Sequence, residues 1–179
     1  SSTKGSGLAT LVFTTHTDSG TATTVTGTDG GSLTGTSGTI TTAVGAATQM
    51  ALNLGDGQTA VAGAAVGILP SVIVRDVNNN PVSGVSVTFA VATGGGSGTG
   101  LTTTTNGSGI ATVGSWTLGT TVGSNTLTAT SGSLAGSPVT FTATGTVGAA
   151  TKYLVSSSNY RPTAGSDVTI NAQLADANN

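Results

Sequence analysis

The chain has no cysteine and no glutamate, and it carries little charge of either sign. Four Lys and Arg and six Asp make up all of it, 6% of 179 residues, and aromatic side chains supply only 3%. Each absence excludes something. Without cysteine there is no disulfide framework and no thiolate metal site, and the redox compartment cannot be read from bridges. A net charge of −2 with no basic cluster argues against a nucleic-acid partner. With no Glu and no two Asp close in sequence, the paired carboxylates of a glycosidase-type hydrolase are missing, so the expectation is no enzyme. The longest mostly apolar run, Ala60 to Leu69, is broken by Gly63 and Gly67. It reaches about half of the roughly 20 residues a spanning helix needs, so no membrane span is expected in this segment. The mean hydropathy of +0.24 is high because Thr stands where Lys and Glu usually do. The first residues lack an apolar core, so a secretion signal would have to lie upstream.

What is present is Gly, Thr, Ser, Ala and Val. β-branched residues fit a pleated surface, and Gly costs a helix interior about 1 kcal/mol relative to Ala, so the composition reads as all-β. Disorder is the competing reading of a Gly/Ser/Thr-rich chain, but apolar and polar residues alternate along several segments. Val85, Val87, Phe89 and Val91 fall on one strand face, as do Leu127 with Ala129, Trp116 with Leu118, and Met50 with Leu52 and Leu54. Phe141 lies in a further alternating run, 139–143. Asn78 to Pro81, Gly94 to Gly100, Asn106-Gly107 and Ser131-Gly132 lie between and read as turns or loops.

An internal repeat organises the chain. Val44-Gly45-Ala46-Ala47-Thr48 returns as Val147-Gly148-Ala149-Ala150-Thr151, 103 residues on. TKGSGLATL at 3–11 matches TNGSGIATV at 105–113, and Gly31-Ser32-Leu33 with Gly35 matches Gly132-Ser133-Leu134 with Gly136. Asp76-Val77-Asn78-Asn79 returns as Asp176-Ala177-Asn178-Asn179. A unit of about 100 residues is domain-sized rather than a solenoid repeat. The expected organisation is the C-terminal part of one domain over 1–44, a complete domain over 45–147 and the N-terminal part of a third over 148–179. Seven or so short strands in the complete copy predict a Greek-key β-sandwich with Val74, Val87, Phe89, Trp116, Leu127 and Phe141 in its core.

The segments Val74-Arg75-Asp76 with Asn80-Pro81-Val82, Val85 to Phe89, Thr105-Asn106-Gly107 with Ile110-Ala111, and Trp116 to Gly119 with Asn125-Thr126-Leu127 form one pattern. It resembles the bacterial immunoglobulin-like domains of the invasin and intimin type, in tandem. The resemblance implies a disulfide-free sandwich acting as a spacer in adhesins, surface layers, secreted enzymes or phage fibres, with no catalytic residues to carry over. The first copy departs from the pattern, with Phe13 near the Trp116 position and no Leu-Gly after it.

Few residues offer chemistry. Asp76, Asn78 and Asn80 are spaced as the opening of a calcium loop, D-x-N-x-N, and are the weak metal candidates. Pro81 stands where the sharp-turn Gly belongs and Val87 where the bidentate Glu belongs, so a strand-to-strand turn with Asp76 accepting backbone N–H groups is the favoured reading, with no cofactor or metal. His16 and Asp18, two residues apart and suited to one strand face, are the one local acid–base pair, with no nucleophile beside them and an exposed or loosely packed strand position expected for His16. Gly94 to Gly100 lacks the Lys-Ser/Thr of a phosphate loop and reads as a mobile loop. Asn106-Gly107-Ser108 fits the N-glycosylation sequon but is better read as a turn. Of the aromatics suited to a carbohydrate platform, Trp116 is expected in the core and Tyr160 exposed.

The expected function is a structural repeat of an extracellular bacterial filament, surface coat or adhesin stalk, a stiff spacer without catalysis. A Ser/Thr surface with few basic residues offers little to trypsin-type proteases, which suits the outside of a cell. A phage fibre or decoration domain and a carbohydrate-binding module of a secreted enzyme are the alternatives. The expected partners are neighbouring immunoglobulin-like domains of the same protein, with head-to-tail self-association of chains as a further expectation.

Overall fold

The computed structural model describes residues 10, 12–28, 31 and 34–178. The repeat positions at 3–9, Leu11, Ser32, Leu33 and Asn179 lie outside them. The described residues hold strands and no helix, so none is long and apolar enough to cross a membrane. Four short strands come first, β1 (Ala22–Thr23), β2 (Thr26–Thr28), β3 (Thr34–Thr36) and β4 (Ile40–Thr41). They pair β1 to β4 and β2 to β3 as one antiparallel ribbon. Ten follow: β5 (Gln49–Leu54), β6 (Gln58–Val61), β7 (Ser71–Arg75), β8 (Ser86–Thr93), β9 (Ser97–Thr99), β10 (Thr102–Thr104), β11 (Ile110–Thr112), β12 (Ser115–Thr117), β13 (Gly123–Thr130) and β14 (Val139–Thr146). The last two, β15 (Lys152–Ser157) and β16 (Ile170–Ala175), form an antiparallel pair.

Strands β5 to β14 build an immunoglobulin-like sandwich. One sheet has the order β10-β8-β13-β14-β6 and the other β11-β7-β5. All pairs are antiparallel except β6, which returns alongside β14 in parallel. Period-2 alternation places the core. In β14, Val139, Phe141 and Ala143 point inward while Thr140, Thr142 and Thr144 face solvent, and β13 repeats this with Asn125, Leu127 and Ala129. Leu127 sits opposite Phe141, and Ala129 is flanked by Val139 and Phe89. From the second sheet, Val72 and Val74 close the core, and Trp116 and Leu118 fill its end. The rings of Phe89 and Phe141 tilt against each other with centroids 6.4 Å apart. All six predicted core side chains are buried, each contributing about 1.5–3 kcal/mol.

Three expectations change. The region holds ten strands rather than about seven, because β6, β9, β10 and β12 are short pieces without a long apolar alternation. Gly94 to Gly100 is not a simple loop: β9 pairs with β12, setting Gly98 opposite Trp116. The glycines are what allow this approach. Gly96 has a φ of 90°, a region that only Gly adopts freely, and a Cβ there would strike the Thr117 carbonyl. Leu52 and Leu54 do not join Met50 in the core. The pairing of β5 with β7 shifts register between Leu52 and Leu54, and both side chains are exposed.

Candidate functional site at the Asp76 turn

Strand β7 ends at Arg75, and the chain turns back so that Arg75 bridges Pro81. The turn closes on itself: the Asp76 N–H donates to the Asn80 carbonyl at 2.9 Å and the Asn79 N–H to the Asp76 carbonyl at 3.1 Å. Asn79 adopts φ 68°, the left-handed region that Asn tolerates better than most residues. The Asp76 side chain is 1% exposed, a buried carboxylate. Its Oδ1 accepts the N–H groups of Asn78 and Asn80, both at 2.9 Å. Its Oδ2 accepts the N–H of Gly45 at 2.9 Å and the Asn80 side-chain amide at 3.0 Å. The Asn80 amide, aided by the N–H groups of Gly45, Asn80 and Asn78, holds the carboxyl below the ordinary value against desolvation, which pushes the other way.

Gly45 belongs to the segment between the first ribbon and β5. A Cβ at Gly45 would lie 3.2 Å from Asp76 Oδ2, a tight contact that a residue without a side chain relieves. Two further bonds fix the same segment: the Thr48 N–H donates to the Arg75 carbonyl at 3.0 Å, and Gln49 Nε2 to the Asp76 carbonyl at 2.9 Å. Asn80, itself buried, reaches the other way. Its Nδ2 donates to the Thr17 carbonyl at 2.8 Å, and its Oδ1 accepts the Ser19 N–H at 3.0 Å.

The arrangement recurs near the end of the chain. Gly148 N–H donates to Asp176 Oδ2 at 2.8 Å, Asn178 N–H to Asp176 Oδ1 at 2.9 Å, and Thr151 N–H to the Ala175 carbonyl at 2.8 Å. A Cβ at Gly148 would again crowd the carboxylate, 3.3 Å from Asp176 Oδ2. Asn178 Nδ2 reaches back to the Ala62 carbonyl of the sandwich at 2.7 Å. A cleft of about 530 Å³ opens beside this contact, lined by Val122, Val147, Leu174 and Asp176 among others.

The structure thus brings Asp76 and Asn80 together, while Asn78 contributes its backbone N–H and leaves its side chain outward. With both carboxylate oxygens facing N–H donors, the chemistry the turn performs is the gathering of main-chain donors from two segments. Among the described residues no three His, Cys, Asp or Glu lie together as a metal group. Sequence reading anticipated the Asp76 turn but missed Gly45 and the outward reach of Asn80. A signal existed: Val-Gly-Ala-Ala-Thr and Asp-x-Asn-Asn recur as a pair, with the bonded Gly and Asp 31 residues apart in one copy and 28 in the next.

The other candidates stay apart from this site. His16 and Asp18 form an exposed pair at 3.4 Å, on a bend rather than a strand face. Asn106 Oδ1 accepts the N–H groups of Ser108 and Ile110, as a turn does. Trp116 is buried, and its indole N–H has no partner among the described residues. Tyr160 is exposed as expected, but Tyr153 and Phe13 are exposed as well, because neither lies in the sandwich core.

No protein-family model and no curated protein matches the chain. Solved structures that resemble it include the following two. One is FdeC, an Escherichia coli adhesin, with 17% identity, 78% of this chain and 45% of that chain covered, and a TM-score of 0.47. The other is domains 4–9 of the surface layer protein SbsC, with 18% identity, 83% and 23% covered, and a TM-score of 0.38. The chain therefore spans less than half of either structure. At these scores the fold assignment rests on the chain's own sheet order.

Proposed function

We propose that this chain is a structural segment of an extracellular bacterial surface protein, in which immunoglobulin-like domains in series hold length and shape without catalysis. Its units are residues 1–44, the end of one domain; 45–147, a complete domain; and 148–179, the beginning of a third. The observation that carries this reading is the recurrence of the Gly45–Asp76 bond as Gly148–Asp176, each joining a short connecting segment to the turn after an antiparallel strand pair. The pairing of β15 with β16, Tyr153 opposite Leu174, follows that of β5 with β7, Met50 opposite Val74. The connecting segments lack the long Gly/Ser tracts of flexible tethers and are pinned by hydrogen bonds, which favours a stiff rod. Small-angle scattering of the chain tests it. A rod gains roughly 30–40 Å per domain, from strands of about 10 residues at about 3.3 Å each, and a spherical scattering profile would sink the reading.

Head-to-tail association is a second reading, favoured by one observation. Tyr153 and Leu174, which occupy the places of the buried Met50 and Val74, are exposed at 67% and 60%. The first ribbon of another chain could cover them. A mass that stays monomeric across the concentration series of the same experiment would exclude it.

A further inference from the structure

We propose that the Asp76 turn is a latch that docks each domain onto the one before it, with Asn80 as the residue that sets the angle between them. The inference rests on the spacer reading and adds the device that makes the spacer stiff.

Three observations carry it. First, the Asp76 carboxylate is buried without a cation, and the single ion pair among the described residues is His16–Asp18. A buried charge is unfavourable unless hydrogen-bond donors replace its water. The turn itself supplies donors to Oδ1, but Oδ2 depends on Gly45 in the connecting segment and on the Asn80 amide. Moving the connecting segment away would strip a donor from a buried anion, so the segment is held in one place. Secondly, Asn80 spends both ends of its amide on a chain segment some 60 residues earlier, donating to Thr17 and accepting from Ser19. Two bonds to one planar group fix direction as well as distance. Thirdly, the Gly–Asp bond recurs, with Asp176 holding Gly148, and the reach to the preceding domain is made there by Asn178, the counterpart of Asn78.

The partners on the preceding domain are all main-chain atoms, Thr17 O, Ser19 N and Ala62 O, while Gly45 N and Gly148 N open the latch's own unit and tie the connecting segment to its turn. The latch therefore reads backbone path rather than side chains. The fitting partner is any preceding domain of this fold, whatever its surface. This accounts for a first copy that departs from the second in its side chains and still docks.

The chain has no cysteine, so introduced pairs label cleanly. Thr36→Cys with Thr140→Cys reports the first junction and Thr140→Cys with Ser156→Cys the second, all at exposed sites. Spin-label distance distributions are measured on the full chain. The wild type is expected to give one narrow peak at each junction. Asn80→Ala should broaden the first about two-fold, toward the free motion of domains joined without a firm interface, and leave the second unchanged. Asp76→Asn, checked for retained melting of the sandwich, should do the same. Narrow peaks in the wild type and in both variants would overturn the latch while leaving the spacer intact. Broad peaks already in the wild type would overturn the spacer and the latch with it.

Discussion

Asp76 and Trp116 are both buried polar side chains, and they differ in how their polar atoms are met. Asp76 has its oxygens fully engaged, so its charge is stabilised and its carboxyl is held below the ordinary carboxylate value by the Asn80 amide first and the backbone donors after. A lowered folded value means that the unfolded chain binds more protons in acid. The contribution of Asp76 is therefore complete above about pH 3.9, the unfolded value, and is lost as the pH falls through the lowered folded value. Asp56 shifts the same way, chiefly through the Thr142 N–H at 2.7 Å. Thermal midpoints followed by circular dichroism should be level between about pH 5 and 7 and fall below about pH 4, with a shallower acid fall in Asp76→Asn. Trp116 contributes size, not hydrogen bonding. Trp116→Ala should cost about 3–5 kcal/mol in urea unfolding, as large-to-small core changes do. Trp116→Phe should cost less than half of that, since it also removes an indole N–H that no described residue accepts; equal losses would show the N–H to be satisfied.

The β9–β12 ribbon shows how an element can hide in composition. Residues 94–100 contain no apolar alternation, so nothing in them signals a strand. They form one because glycine lets two backbones meet: Gly98 lies opposite Trp116, and a Cβ on it would be 2.9 Å from the Ser115 carbonyl. Asn125 ties the same corner, its Oδ1 accepting the Gly119 N–H at 3.0 Å and its Nδ2 donating to the Gly123 carbonyl at 3.1 Å. Gly96→Ala should therefore destabilise the sandwich by about 1–3 kcal/mol, combining a left-handed backbone with a steric clash. Gly107→Ala is the control, since a Cβ there meets nothing and its φ is not in the left-handed region. A similar loss at both positions would place the effect in glycine content rather than in the ribbon.

At the scale of the molecule, the main hydrophobic cluster lies within residues 47–143, and hydrogen bonds from Asn80 and Asn178 tie it to the segments on either side. Connection by polar bonds is directional but individually weak, about 1 kcal/mol net for neutral pairs and somewhat more for those to a carboxylate. That is the reason stiffness is expected to respond to one side chain such as Asn80 while the sandwich keeps its melting temperature. A carbohydrate platform fares less well at this scale, because Trp116 is buried and Tyr153 and Tyr160 are the exposed tyrosines.

The all-β class, the six core side chains and the Asp76 turn are legible in the residues alone. These follow from local chemistry: alternation with period two assigns Val87, Phe89, Leu127 and Phe141 to one interior, and Asp-x-Asn-x-Asn-Pro favours a turn wherever it stands. Only the tertiary structure decided which residues that turn serves. Gly45 and Asp76 meet because the antiparallel pairing of β5 with β7 brings the connecting segment beside the turn, and Asn80 meets Thr17 and Ser19 because the preceding segment lies against the same end. Register was decided there too: the pairing of β5 becomes irregular after Leu52, and Leu54 beyond the shift is exposed although its alternation with Met50 is unbroken. Local patterns fix which face a residue prefers, whereas bonds to main-chain atoms far along the chain leave no mark on side-chain identity, apart from the glycine that the close approach favours.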